Sequence, residues 1–189
     1  TTDEAGIITT NITEGFSTNS SAASGSNQTV TFNTLSDGTY EGKTISVTDA
    51  AGNISSLTIP TFIIDTTAPT ITITAAEVNN GDSSNDGSLA LTFTSNEATD
   101  NFTEEDITVD GGSLSNFATT SSSEYTATFT PTADGATTID VGGSTFTDTS
   151  GNNNTAATQF TWTYDGTAPV LEEVTAPARE LVEEEIAVN

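Results

Sequence analysis

The stretch TDAAGNISSLTIPTFIIDTTAPT, residues 48–70, returns as TDTSGNNNTAATQFTWTYDGTAPV at residues 147–170. Each reads Thr-Asp-x-x-Gly-Asn, then an alternating strand, then Asp-x-Thr-Ala-Pro. The repeat distance is roughly 100 residues, the length of one small β-sandwich. The repeat therefore predicts two tandem domains, with junctions at Asp65–Pro69 and Asp165–Pro169. The boundaries that follow are 1–66 for a sandwich lacking its first strand, 67–166 for a complete one, and 167–189 for a linker and strand belonging to the next unit.

Around this repeat the pattern has a period of two. KTISVTD turns Ile45 and Val47 to one side, and QTVTFNTL does the same with Val30 and Phe32. In the second half ITITA, LALTFTS, EYTATFTP and TTIDVGG place Leu89, Leu91, Phe93, Tyr125, Ala127, Phe129, Ile139 and Val141 inward, with Thr at most outward positions. One buried face and one wet face is the mark of antiparallel sandwich strands, so the chain reads as all-β and immunoglobulin-like. Leu35-Ser-Asp37-Gly38-Thr-Tyr40 suits a tyrosine corner, with the ring buried and the hydroxyl bonded to nearby backbone. Trp162 is expected in the core rather than as a sugar-stacking platform.

Composition narrows the function. Against 27 acidic residues stand Lys43 and Arg179, with no histidine, for a net charge of -25. Nucleic-acid binding needs a basic surface from which counterions are released, so that class is excluded, and anionic membranes with it. No apolar run is long enough to insert into a bilayer. With neither Cys nor His, a thiol nucleophile or a Ser-His-Asp triad cannot be built. The adjacent acids Glu104 and Glu105 are read as solvated surface, because neighbours on a strand or turn point apart. The expectation is a protein without enzymatic activity.

Carboxylates in such excess repel one another, and hard divalent cations relieve the repulsion. Asp82-Ser-Ser84-Asn-Asp86-Gly87 spaces its oxygens like the first half of a calcium loop, but Phe93 stands where an EF-hand places its bidentate glutamate. Asp82 and Asp86 would thus need ligands from elsewhere, and Asp65, Glu97 and Asp100 are the candidates. For Asp49 and Asp148, with Asn53 and Asn152, turn chemistry alone is a sufficient account: Asp accepts local backbone bonds and Gly takes a positive φ.

VTDAAGN followed by FIIDTTAPT resembles the end of the bacterial immunoglobulin-like repeats of very long surface adhesins. EATDNFTEEDITVDGG, YTATFTPTADG and FTDTSGNNN are similar to a sister group of such repeats. The resemblance implies an extracellular or cell-surface setting, a mechanical role as the rod of an adhesin or filament, and structural calcium at the linkers, carried here to Asp65 and Asp165. It leaves open a rival role, a calcium-dependent module that grips a surface glycan or protein.

The tail, residues 167–189, has three readings. ARELVEEEIA has good helix formers; the segment is also acidic enough to fray; and it can complete a neighbouring unit. The favoured reading is the last, since VLEEVTA follows its TAP as ITITAAEV follows the other linker. Written end to start, EEIAVN–TTDEAGIITT continues one strand. Copies would then join head to tail, either through a peptide bond or by strand donation, with Val170, Val174, Ile186 and Val188 filling the neighbour's pockets.

Overall fold

The computed structural model describes residues 4–16, 21–22, 25 and 29–172. The fold is all-β and contains, besides strands, a single 3-10 turn among the described residues. The tail strand candidates Val174, Ile186 and Val188 lie outside the described residues. Val170 lies within them and is exposed.

The second half is an immunoglobulin-like sandwich. Its first sheet runs β11 (Gly112–Thr119), β12 (Glu124–Pro131), β9 (Leu89–Ser95), β7 (Ile71–Ala75), and its second runs β10 (Ile107–Asp110), β13 (Gly135–Val141), β14 (Phe160–Tyr164), β8 (Ser83–Ser84). All pairs are antiparallel except β8 with β14. The registers put the expected inward residues opposite one another: Tyr125 faces Phe93, Ala127 faces Leu91 and Phe129 faces Leu89. Because side chains alternate across the pleat, this register sends every one of them into the core, where they meet Ile139, Val141, Phe160 and Trp162 from the other sheet. Trp162 is 1% exposed and its indole N–H donates to Ser84 Oγ at 3.0 Å, so its polar atom is satisfied inside the core.

The strands before Asp65 pair among themselves. β1 (Gly6–Thr10) lies between β2 (Ser21–Ala22) and β4 (Thr44–Asp49), β4 continues to β5 (Ile54–Thr58), and β3 (Gly38–Tyr40) pairs with β6 (Phe62–Ile64). Ile8 and Ile12 are the fully buried apolar side chains here among the described residues, while Ile7, Ile54, Leu57 and Ile63 are exposed. At ~1.5–3 kcal/mol for each large apolar side chain buried, this region has far less holding it together than the second half. Two sequence expectations need correction. The described part of QTVTFNTL, residues 29–35, forms no strand; its contribution is a single bridge from Phe32 to Phe16, whose rings pack at 5.6 Å. Tyr40 does donate its hydroxyl to Ser36 O at 2.9 Å, but its ring is only half-buried and stacks on Phe62.

Hydrogen bonding repeats between the halves as the sequence does. Asp49 accepts from Asn53 N at 2.7 Å and Nδ2 at 2.8 Å; Asp148 accepts from Asn152 N and Nδ2, both at 2.8 Å. The glycines inside these loops, Gly52 and Gly151, have φ of 90° and 92°, a conformation in which a Cβ would be strained. Asn11 Oδ1 accepts from Thr44 N at 2.8 Å, and Asn101 Oδ1 from Thr147 N at 2.8 Å. The segments Glu4-Ala5 … Asn11-Ile12-Thr13-Glu14 and Glu97-Ala98 … Asn101-Phe102-Thr103-Glu104 are therefore counterparts. Between them the first half inserts β1, and β4 and β5 lengthen to match; in the second half the same ladder shrinks to the bridges Thr99–Asp148 and Thr147–Asn153.

Phe93→Ala is expected to cost about 3–5 kcal/mol, since its ring is fully buried, and to unfold the second sandwich at much lower urea. Tyr40→Phe should cost about 1 kcal/mol and act on the first half alone. Urea titrations followed by Trp162 fluorescence and by circular dichroism separate the two.

Candidate cation site at the linker

Between β6 and β7 the chain passes from one half to the other through residues 65–70, and each half holds this segment by hydrogen bonds. From the first half, Asp37 accepts from Thr66 N at 3.1 Å, Thr66 Oγ1 at 2.8 Å and Thr67 Oγ1 at 2.9 Å. From the second, Asn152 Nδ2 donates to Asp65 O at 3.0 Å and Ser150 Oγ to Asp65 Oδ2 at 2.9 Å. Thr155 N reaches Pro69 O at 3.0 Å, and Asn96 exchanges two bonds with Thr70. Short Asp, Thr and Asn side chains close to backbone suit this work, because they bond locally at little cost in rotamer freedom.

These contacts draw carboxylates of like charge together. Oxygens of Asp65, Glu97 and Asp148 all lie within 4.8 Å of one another. Asp148 sits in the loop between β13 and β14 and is 2% exposed. Burial, the largest influence on it, would raise its pKa, but donation from the Asn152 side chain and from the backbone of Asn152 and Ser150 outweighs that and leaves it lowered. Glu97 accepts only one such bond, from Asn96 Nδ2 at 3.3 Å, and it is outweighed. Its pKa is raised by desolvation first and then by the charges of Asp65 and Asp148, with Asp37 adding a smaller push.

Oxygen is the only donor these residues offer, which fits a hard divalent ion such as calcium and not zinc, whose sites are built on nitrogen and sulfur. Three carboxylates leave several of calcium's six to eight positions for backbone oxygens or water.

Of the residues singled out from sequence, Asp65 and Glu97 belong to this group. Asp82 instead closes a turn, accepting from Asn79 N at 2.8 Å and Asn79 Nδ2 at 3.0 Å. Asp86 receives its own contact elsewhere, its N–H donating to Ser84 Oγ at 3.4 Å. Asp100 is exposed and bonds through its backbone to Thr147. Asp165 begins the second linker, where its Oδ1 accepts from Thr167 N at 3.2 Å, as Asp65 Oδ1 does from Thr67 N at 3.2 Å. Asp134 clasps that linker through Gly166 N at 2.8 Å and through Thr167 Oγ1, repeating the work of Asp37. The residue that the sequence reading set aside is Asp148. It is at once a turn aspartate and a member of the cluster, and the signal that could have found it is its place beside a linker that carries another aspartate.

The fold of the second half defines an immunoglobulin-like β-sandwich module. The chain belongs to the family of bacterial Ig-like domains, whose profile matches residues 65–164. No curated protein matches the chain. Members of this family are structural and surface modules, often extracellular and typically without enzymatic activity. No helix among the described residues is long and apolar enough to cross a membrane.

The raised pKa of Glu97 means that its ionised form is disfavoured by folding. That penalty is absent below the ordinary glutamate range, grows as pH rises from that range to the raised folded pKa, and levels off above it. In chelator, Glu97→Gln should therefore raise the melting temperature at pH 7 by roughly 2–5 °C and lose the advantage near pH 4. Calorimetry across pH checks the sign.

Proposed function

We propose that this chain is a structural building block of an extracellular filament or surface adhesin rod, that its units join head to tail, and that calcium stiffens the linker between them. The observation that carries the reading is the meeting of Asp65, from the linker, with Glu97 and Asp148, from two loops of the following sandwich. A cation held there ties the hinge to the domain it leads into and cancels the repulsion that the hydrogen bonds create. Interfaces between small tandem domains are otherwise weak enough for free rotation. The module is not an enzyme; its acids serve as ligands and solvated surface.

Head-to-tail joining is supported by Asp165-Gly-Thr-Ala-Pro, which repeats the linker motif after the second sandwich, and by the exposed Ile7, Ile54, Leu57 and Ile63 of the first half. The join is either a peptide bond within a longer array or a strand donated by the tail.

Millimolar calcium is expected to raise the melting temperature, by about 2.7 kcal/mol of added stability at a hundredfold excess over Kd, and magnesium to do less. Glu97→Gln and Asp148→Asn should each abolish the calcium shift. An identical melting temperature in calcium and in chelator would overturn the cation. For the donated-strand version, removing residues 171–189 should leave monomers in sedimentation velocity; oligomers that survive the removal rule donation out.

A further inference from the structure

The first half carries the same loop that holds the linker in the second, and nothing among the described residues occupies it. Asp49-Ala-Ala-Gly-Asn53 repeats both bonds from the asparagine to the aspartate of Asp148-Thr-Ser-Gly-Asn152. In the second half, Asn152 uses its remaining amide hydrogen to grip Asp65 O. Asn53 is exposed, and its remaining amide hydrogen has no partner among the described residues. Glu4 lies within hydrogen-bonding reach of Asp49, as Glu97 lies beside Asp148.

The matching ligand is also in view. Asp165–Thr167 has the same internal turn as Asp65–Thr67 and is clasped from behind by Asp134 as the first linker is by Asp37. Asp165 and Thr167 are exposed, so this linker presents its backbone already shaped. Preorganisation of both partners lowers the ordering cost of docking.

We propose that the Asp49–Asn53 loop, flanked by Glu4, is a docking surface for the Asp165–Pro169 linker of a second copy of this chain. The inference rests on the head-to-tail reading and names the surface through which it acts. Asn53 Nδ2 donates to the backbone carbonyl of Asp165, reproducing the grip of Asn152 on Asp65. Bringing Asp165 to Glu4 and Asp49 also rebuilds the three-carboxylate group between copies. One contact differs: Ala51 stands where Ser150 donates to Asp65, so docking at the first half lacks that hydroxyl.

The same pair of positions supplies the test. The chain has no cysteine, so Ala51→Cys and Asp165→Cys each introduce one thiol, at exposed positions that leave the proposed backbone contact intact. The two variants, one labelled with 15N, are mixed in chelator at raised salt, which screens the acidic surfaces, and oxidised. The 51–165 heterodisulfide, read by mass spectrometry, should exceed the pairing of Ala51→Cys with an exposed Thr108→Cys control by about fivefold or more. Adding Asn53→Ala to the Ala51→Cys chain should remove that excess. A yield equal to the control, or an excess untouched by Asn53→Ala, overturns the surface. Sedimentation of the unmodified chain separates the two readings: oligomers without the cross-link overturn this surface and leave head-to-tail joining standing, whereas monomers throughout, with no excess cross-link, overturn both this surface and strand donation and leave only the peptide-bonded form of head-to-tail joining. Because chelator is present, the outcome is independent of the cation.

Discussion

Asp148 is buried and charged because three donors of its own loop converge on it: Ser150 N, Asn152 N and Asn152 Nδ2, each at 2.8 Å. Remove them and burial would push its pKa up rather than leave it lowered. With them, the loop is locked in the one shape that leaves Asn152 free to hold the linker carbonyl of Asp65. The position of the linker, and hence of the Asp65 carboxylate, follows from that lock. So does the misfortune of Glu97, which must share its surroundings with two charges that cannot move away.

The site is thus a consequence of building a linker from short acidic and amide side chains. Such residues order backbone well, but each aspartate used as an acceptor brings a charge. Where two loops and a linker meet, the charges accumulate faster than the hydrogen bonds neutralise them. In a chain with 27 acids and two bases, the hydrogen bonds around the site bring no lysine or arginine to it among the described residues, and a divalent ion is a chemistry that can relieve the excess.

The two halves use one scheme at different strengths. The second has a closed core, with sixteen buried side chains in one cluster. The first keeps the loops, the clasps and the Tyr40 hydroxyl bond but buries little apolar surface, and its longer β1–β4–β5 ladder is half-buried along β4 and exposed along β5. Local opening is therefore cheaper in the first half. A segment whose features are mainly polar loops and exposed strand is better suited to receiving a partner than to standing alone.

The sequence by itself determined the strands of the second sandwich, because alternation of Leu, Phe and Tyr with Thr admits only one register that buries the apolar set. It also determined the linkers, since Asp-x-Thr-Ala-Pro recurs after each Thr-Asp-x-x-Gly-Asn loop, and it excluded thiol and imidazole chemistry outright. It misplaced QTVTFNTL, whose alternation is genuine but whose described part finds only a one-residue bridge partner. Tertiary structure alone decided which acids meet. Asp65, Glu97 and Asp148 are separated by 32 and 51 residues, and no spacing rule joins a linker to two loops across such distances. Asp82 and Asp86, whose spacing looked most like a cation loop, take no part in that cluster, and Asp82 closes a turn with Asn79 instead. Spacing describes a ligand set only when one loop supplies all of it; here the fold brings the ligands together from three segments.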